Sequence, residues 1–246
     1  MRILVVADIY GDLAHLSSII EAAAAHNPSL VVCPGNITDM FAVSEFSQMD
    51  VGELVMLKLL SLRKPVLAVP GNHDPPGLID VFEDYHTNLH GKRRTIQGME
   101  FVGFGGATTP FHTNFEPGEE ETQETLAAVS TTIGQHVLVV HNPPKDTKLD
   151  TLASGEHVGS AAIRAYILEK KPRLVIAAHI HEAAGKDTLG GSVLFNPGPA
   201  FQGKYGIVDL TPAGVVCTSH TIPGSSQATP PPTTSPAPLK KRPAKK

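Results

Sequence analysis

The sequence predicts an α/β fold, and two patterns support that prediction. In residues 2–69, three short aliphatic runs alternate with two segments whose apolar residues recur at helical spacing, as strands and helices do. Strands that are separated by helices pair in parallel through right-handed crossovers. Polar side chains also follow directly after several of the aliphatic runs, and this is the position at which open α/β sheets bind their ligands.

The first half of the chain is predicted to contain three buried strands and three helices. Each strand is a continuous aliphatic run that ends at polar residues, glycine or proline. The first helix follows the loop Asp8–Asp12 and stops at Asn27-Pro28, since proline cannot continue a helix. The predicted strands are 2–7, 30–33 and 65–69, and the predicted helices are 13–24, 43–62 and 78–84.

The second half is predicted to begin with a hairpin and to end with a set of closing strands. Gln97-Gly98 forms the turn of the hairpin. The loop that runs from Gly105 to about Gly118 is long for a compact domain, which is typical of a functional or mobile segment. The predicted strands are 95–96, 99–104, 136–140, 173–178, 192–195, 205–210 and 215–219, and the predicted helices are 119–133 and 158–170.

The composition is typical of a soluble globular protein. Hydrophobic residues make up 41% of the chain, and the mean hydropathy is −0.02. No apolar run approaches the roughly 18 residues of a membrane helix, and the apolar run 3–7 is too short for a signal peptide. Cys33 and Cys217 have neither metal-ligand spacing nor a disulfide framework. We therefore expect reduced thiols and a cytoplasmic protein.

Charge is distributed unevenly along the chain. The formal net charge is −4, and removing the five Lys and Arg charges of the last seven residues leaves −9 on residues 1–239. A body that acidic is not expected to bind nucleic acid by bulk electrostatics. From Pro223 onward Gly, Ser, Thr and Pro dominate, so we expect one domain at 1–222 and a disordered, partly polyproline tail at 223–246. The basic end of the tail is either a solubilising extension or a contact for an anionic partner.

Five polar clusters each follow a predicted strand. Any one of them has an ordinary explanation, since an Asp after a strand often caps a helix and Gly-Asn pairs are common in turns. The pair His179 and His181 is harder to explain in that way, because residues i and i+2 of an extended segment share a face and both rings can reach one metal. If the strands are parallel neighbours, all five clusters lie along one edge of the sheet. The clusters are Asp8 with Tyr10, Asn36, Asn72 with His73, His141, and His179 with His181.

In these residues the sequence resembles the calcineurin-like metallophosphoesterases, and among them the Icc-related phosphoesterases. The resemblance extends from Arg2 to about Leu210 and implies two packed, mixed β-sheets flanked by helices. It also implies one or two divalent transition metals (Mn, Fe, Zn or Ni) and a phosphate-ester substrate, either a small molecule or a nucleotide. The strongest matching blocks are Gly71-Asn72-His73-Asp74, Glu156–Ser160, His179–Glu182 and Asn196-Pro197-Gly198.

The resemblance implies a metal-binding role for six positions. Asp8 and His181 would bind the first metal. Asn72, His141 and His179 would bind the second. Asn36 stands where the family has an aspartate that bridges both metals.

The resemblance also implies a catalytic pair beside the metals. His73 would stabilise or protonate the leaving oxygen, and Asp74 would orient the His73 ring, as carboxylates commonly orient histidines. The segments 105–118 and 142–157 flank these residues along the chain, and we expect them to form the walls of the pocket.

Two positions depart from the family pattern. The usual Asp-x-His is Asp8-Ile9-Tyr10 here, and the usual Gly-Asp is Gly35-Asn36. A neutral phenol is a poor ligand for Mn²⁺ or Zn²⁺, and an amide carries no charge to hold two cations close together. The acids that could compensate are Asp12, Asp39 and Glu182.

Three functions are consistent with these residues. The first is a metallophosphoesterase, a hydrolase of phosphodiesters or phosphomonoesters, with a modified or mononuclear metal site. The second is a catalytically degenerate family member that binds a phosphate-containing ligand or a partner. The third is a purely structural or interaction protein. We favour the first, because five of the seven site positions match the family and His73 is one of them.

Overall fold

The computed structural model describes residues 1–129, 132–223 and 225, and its strands form two mixed β-sheets. The first sheet has the order β11-β10-β1-β2-β3 and the second has the order β4-β5-β6-β7-β9-β8. The strands of the first sheet are β1 (Arg2–Val5), β2 (Leu30–Cys33), β3 (Val66–Ala68), β10 (Lys204–Thr211) and β11 (Gly214–Thr221). Those of the second are β4 (Lys92–Ile96), β5 (Met99–Phe104), β6 (His136–Val140), β7 (Leu174–Ile176), β8 (Gly185–Leu189) and β9 (Ser192–Asn196).

Each sheet has a parallel centre and antiparallel edges. In the first sheet β1, β2 and β3 are parallel, and β10 and β11 join them antiparallel. In the second sheet β5, β6, β7 and β9 are parallel, and β4 and β8 are antiparallel to their neighbours. The expected fold class, two mixed sheets flanked by helices, is confirmed.

Alternation along the strands explains how the sheets and helices pack. In β1, Ile3 and Val5 face the second sheet, and Leu4 faces the helices of the first sheet, because successive side chains of a strand point to opposite faces. The layer between the sheets also contains Phe101, Val139 and Phe195 from the second sheet. The protein is therefore a four-layer structure of helices, sheet, sheet and helices.

The helices divide between the two outer faces. The first three pack on the first sheet and the last two pack on the second. They are α1 (Leu13–Ala24), α2 (Gln48–Leu60), α3 (Leu78–Asp84), α4 (Glu119–Ala128) and α5 (Ala161–Lys170). No helix in the described part of the chain is long and apolar enough to cross a membrane.

The helix predicted at 43–62 is shorter than expected. It begins at Gln48 because Ser47 and Asp50 form a capping box, in which each side chain bonds the backbone N–H of the other. The residues before it are outside the helix and face solvent, and Val43 is 98% exposed. Apolar residues in this segment gave a false extension of the helical pattern.

Three other elements differ from the sequence prediction. Helix α5 begins at Ala161, because the Ser160 hydroxyl accepts the Ile163 N–H at 3.1 Å and so caps the helix. Strand β8 was missed, because it is an edge strand of sequence Gly-Lys-Asp-Thr-Leu with one aliphatic residue. Helix α4 ends at Ala128, and residues 130 and 131 of its predicted extent lie outside the described residues.

The predicted single edge of polar clusters proved to be two facing edges. The clusters after β1, β2 and β3 belong to the first sheet, whereas those after β6 and β7 belong to the second. The carboxyl ends of both parallel sets lie on the same side of the molecule, since the His179 N–H donates to Asp8 at 3.3 Å and His141 Nε2 lies 3.1 Å from Asn72 Oδ1. The clusters therefore converge across the gap between the sheets.

Two further sequence expectations concern the ends and the thiols. The last strand ends at Thr221, and the predicted tail 223–246 lies outside the described residues apart from Pro223 and Ser225. Cys33 and Cys217 are both buried and unbridged. The cytoplasmic location that we inferred from them stays a prediction.

Candidate metal centre

Three loops of the first sheet supply one side of the centre. Asp8 follows β1, Asn36 follows β2 and Asn72 follows β3, and all three side chains are buried. The loops approach closely because Gly35 and Gly71 lack side chains. A Cβ at Gly71 would lie 2.2 Å from the Asn36 amide, and one at Gly35 would lie 2.7 Å from His141 Nδ1.

Backbone strain is concentrated at this place. Asp8, Tyr10, Asn36 and His179 all have positive φ angles, between 52° and 71°. Residues other than glycine seldom adopt this conformation, and it is found most often at functional sites, where the surrounding structure compensates its cost. Here the strain turns each side chain from its strand end toward the gap between the sheets.

The amide of Asn36 has one possible orientation. Its Oδ1 accepts the backbone N–H of His73 at 3.0 Å, and a backbone N–H can only donate. Its Nδ2 therefore faces the centre, where three acceptors share its two hydrogens: the Tyr10 hydroxyl oxygen at 2.8 Å, and Asp8 Oδ1 and Asn72 Oδ1 at 3.2 Å each. The residue that was expected to bridge two metals thus presents N–H groups, and no oxygen, to the centre.

Tyr10 extends this network to the other side of the gap. Its hydroxyl oxygen accepts from Asn36 Nδ2 at 2.8 Å and lies 3.3 Å from His181 Nε2. Burial, with the carboxylates of Asp8 and Asp39, raises the pKa of the Tyr10 phenol well above its usual value. The phenol is therefore neutral, and its hydroxyl and His181 Nε2 are within hydrogen-bond distance of each other.

Asp8 is the carboxylate at the bottom of the centre. Burial alone would raise the pKa of its carboxyl, but the neighbouring imidazoles, His181 first, outweigh burial and hold that pKa below its usual value. Its Oδ1 lies 3.7 Å from His181 Nε2, and its Oδ2 accepts the backbone N–H of His179 at 3.3 Å. Asp8 is ionised and joins the loops of the two sheets.

The other half of the centre contains His141, His179 and Asn72. His141 Nδ1 lies 2.7 Å from the Pro34 carbonyl oxygen, which can only accept, so Nδ1 carries the hydrogen. Burial lowers the pKa of His141 to about 4, and the ring is therefore neutral with a bare Nε2. Burial, with the nearby His141, also lowers the pKa of His179 well below its usual value. The two rings lie 5.0 Å apart between centroids.

In this half the bare Nε2 of His141 faces another acceptor, the amide oxygen of Asn72. His141 Nε2 lies 3.1 Å from Asn72 Oδ1. The Asn72 amide cannot flip, because its Nδ2 donates to Thr113 Oγ1 at 3.1 Å and Thr113 Oγ1 in turn donates to Glu116. Two acceptors at this distance, with the second histidine nitrogen donating to a backbone carbonyl, form an arrangement typical of metal ligands.

These residues fit a metal in one half of the centre only. The described residues include no group of three His, Cys, Asp or Glu side chains placed to hold a metal ion. His141 and His179 are two histidine ligands of the required kind. The third donor is the amide oxygen of Asn72, and asparagine is not one of those four residue types. Neutral imidazoles and an amide oxygen suit a divalent transition metal. The half with Asp8, Tyr10 and His181 is already joined by hydrogen bonds.

His73 lies beside the centre, but Asp74 does not contact its ring. The Asp74 carboxylate accepts from the backbone N–H groups of Gly71, Ile37 and Thr38 at 2.8–3.1 Å. It therefore joins the loops after β2 and β3. Burial raises the pKa of its carboxyl, against these hydrogen bonds. The orienting role that we expected of Asp74 is wrong for this geometry.

The carboxylate that contacts the His73 ring is Asp39. Its Oδ1 lies 3.2 Å from His73 Nδ1, and the ring packs edge-on against Tyr10 and Phe41 at centroid distances of 5.0 and 5.4 Å. Sequence reasoning treated Asp39 only as a nearby acid, and its place three residues after Asn36 was the available signal. Of the other acids, Asp12 pairs with His15 at 2.6 Å and caps α1.

A cavity of about 480 Å³ opens onto the centre. Its floor includes Asn72, His73 and His179, and its walls come from residues 108–113 and from 152, 156 and 158. Apart from Val158, these wall residues fall within the two segments, 105–118 and 142–157, that were expected to form them. Among the described residues, those that line this cavity include no Lys or Arg, and its acids are Glu156 and Glu182. Phe111, 45% exposed, lies at its outer wall.

Comparisons with known proteins agree with this architecture. A model of the calcineurin-like phosphoesterase family matches residues 1–183. An uncharacterised protein of Methanocaldococcus jannaschii is 37% identical over 139 residues, which are 54% of this chain and 64% of that protein. The match thus spans somewhat less than two thirds of the relative's length.

Two solved structures share the fold over most of their length. A protein of Thermus thermophilus has a TM-score of 0.71 and 20% identity, with 90% of this chain and 98% of that chain covered. A dimetal phosphatase from Danio rerio has a TM-score of 0.60 and 14% identity, with 90% and 99% covered. Identities this low show the fold alone. The family model covers most of the chain and includes every loop of the centre, so this protein belongs to the calcineurin-like phosphoesterase family.

Proposed function

We propose that this protein hydrolyses a phosphate ester with the help of a divalent metal held by Asn72, His141 and His179. The observation that carries the proposal is the 3.1 Å contact between the bare Nε2 of His141 and the oxygen of Asn72. Two acceptors repel each other, and a cation between them removes that repulsion. The surrounding contacts fix both groups, so the site is preorganised for a cation.

The chemistry follows from the groups around that contact. A divalent metal held there supplies a water molecule of lowered pKa and neutralises charge that develops on the phosphoryl oxygens. His73 lies on the cavity floor, and Asp39 holds its Nδ1 side at 3.2 Å. The opposite ring nitrogen is then the one that gives a proton to the leaving oxygen. The edge-on rings of Tyr10 and Phe41 fix the plane of that imidazole.

The test uses bis-p-nitrophenyl phosphate with added Mn²⁺. We expect turnover by the wild type, a fall of more than about 100-fold in His141→Ala and in His179→Ala, and a fall of about 10²–10⁴-fold in kcat for His73→Gln. His86→Ala is the matched histidine control, since His86 is exposed and follows α3, away from the centre. Turnover that survives His141→Ala and His179→Ala would contradict the proposal.

A second candidate function is phosphate-ligand binding without catalysis. The observation that favours it is the hydrogen-bond network of Asn36, Tyr10 and Asp8, which fills the half of the centre where the family places a metal. If the wild type is inert and the double variant Asn36→Asp with Tyr10→His turns over the diester, this second function is the better one. The diester preference and the identity of the natural substrate stay predictions.

A further inference from the structure

We propose that the hydrogen-bond network of Asn36 and Tyr10 takes the place of a second cation, so that this protein binds one divalent metal and not two. This inference rests on the proposed function, because it concerns the same centre. It deepens that function by fixing the metal count and by assigning Asn36 and Tyr10 the role that a metal has elsewhere.

The first support is the fixed direction of the Asn36 amide. A ligand that bridges two cations must present lone pairs to both. Asn36 instead turns its Nδ2 toward the centre, where its two hydrogens are shared among the Tyr10 hydroxyl at 2.8 Å and Asp8 Oδ1 and Asn72 Oδ1 at 3.2 Å each. Turning the amide would bring Nδ2 against the His73 N–H, now 3.0 Å from Oδ1, and two donors would face each other. The buried N–H groups would lose their acceptors as well, which is costly.

The second support is the close packing of the Tyr10 phenol. Its hydroxyl lies between Asn36 Nδ2 at 2.8 Å and His181 Nε2 at 3.3 Å. The ring is held edge-on by Phe201, at 5.5 Å between centroids, and by His181 at 5.7 Å. A cation bound between Asp8 and His181 would meet the hydrogens of the amide and of the phenol.

The third support is charge. Two divalent cations a few ångströms apart repel each other strongly in a buried site, and an anionic bridge is what reduces that repulsion. The ring nitrogens of His141, His179 and His181 have one carboxylate within 4 Å among the described residues. It is Asp8, which lies 3.7 Å from His181 Nε2. One carboxylate, with the imidazoles of His141 and His179 and the amide of Asn72, suits a single divalent ion better than two.

The test measures metal content directly. Purified wild type, Asn36→Asp, Tyr10→His and the double variant are dialysed to equilibrium against Mn²⁺, and bound metal is measured by elemental analysis. We expect one Mn²⁺ per chain in the wild type and two in the double variant. The electron paramagnetic resonance spectrum should change from that of an isolated Mn²⁺ to that of an exchange-coupled pair.

Controls separate the position from the charge. Asn114→Asp makes the same chemical change on an exposed residue whose amide donates to the His73 carbonyl oxygen, and it should leave one Mn²⁺ per chain. Circular dichroism shows whether each variant is folded. Two Mn²⁺ per chain in the wild type, with turnover intact, would overturn this inference and leave the proposed function standing. No bound Mn²⁺ and no turnover in a folded wild type would overturn both.

Discussion

The histidines of this chain differ in the protons they carry, and their surroundings decide the difference. His141 is neutral with its hydrogen on Nδ1, because burial lowers its pKa to about 4 and the Pro34 carbonyl accepts that hydrogen. His90 is a second, partly buried example outside the centre. Its Nδ1 accepts the Gly105 N–H at 2.9 Å, so its Nδ1 is bare. The same residue type is a potential metal ligand in one place and a loop anchor in the other.

His90 should make the protein less stable in mild acid. Burial lowers its pKa from 6.5 to about 4 in the folded state, whereas the unfolded chain keeps the ordinary value. Between pH 6.5 and 4 the unfolded chain therefore binds a proton that the folded chain does not, and stability falls as the pH falls. At pH 5 the loss from this residue is about 2 kcal/mol.

Urea unfolding at pH 7.5 and pH 5 measures this loss. His90→Gln keeps an acceptor for the Gly105 N–H and cannot titrate, so it should lose less stability between the two pH values than the wild type does. Part of the acid sensitivity should persist in the variant, because His141 has a similarly lowered pKa. Equal losses in the two proteins would contradict the prediction.

At the scale of elements, the loops after β2 and β3 need glycine at Gly35 for two reasons, its positive φ angle and the close approach of the two loops. Gly35 and Gly98 both have positive φ, at 101° and 79°. A Cβ at Gly35 would lie 2.6 Å from the Gly71 backbone nitrogen, whereas one at Gly98 would have nothing within 4 Å. The two residues thus share backbone strain and differ in packing.

Replacing these two glycines should separate the two costs. Gly98→Ala should lower the free energy of unfolding by about 1 kcal/mol, the strain of an alanine at positive φ. Gly35→Ala should lower it by about 3 kcal/mol or more, because the loops must also move apart. It should weaken Mn²⁺ binding too, since His141 Nδ1 lies 2.7 Å from the new Cβ. Similar losses in both variants, by urea unfolding, would show that close approach of the loops is not required.

The sequence predicted the strands and helices that can be recognised from their own residues, without knowledge of their partners. Buried strands such as β2 and β6 were found with their boundaries intact, because a short aliphatic run is visible without knowing its partners. The edge strand β8 was not, since its pairing with β9 supplies what its composition lacks. The roles of Asp39 and Asp74 also depend on which backbone groups surround them, and only the packed structure fixes that. The identities of most centre residues were readable, but the direction of the Asn36 amide was not.

At the scale of the whole molecule, one apolar layer joins the two sheets that carry the centre. Phe195 on β9 is fully buried in that layer. Its ring lies against Gly206 on β10 of the first sheet, where a Cβ would come within 2.4 Å of it. Each half of the candidate metal centre combines residues that follow strands of both sheets, so the alignment of these residues depends on this packing.

Phe195→Ala should therefore destabilise both sheets together. Loss of a fully buried ring leaves a cavity and costs about 3–5 kcal/mol, whereas Phe111→Ala, at a side chain that is 45% exposed, should cost less than about 0.5 kcal/mol. Native-state hydrogen exchange gives the opening free energy of each strand. We expect Phe195→Ala to lower it by the same amount in β2 of the first sheet and in β6 of the second, because a shared core opens as one cooperative unit. A loss confined to β6 would show that the sheets are separate units, and the centre would then be held by its loops alone.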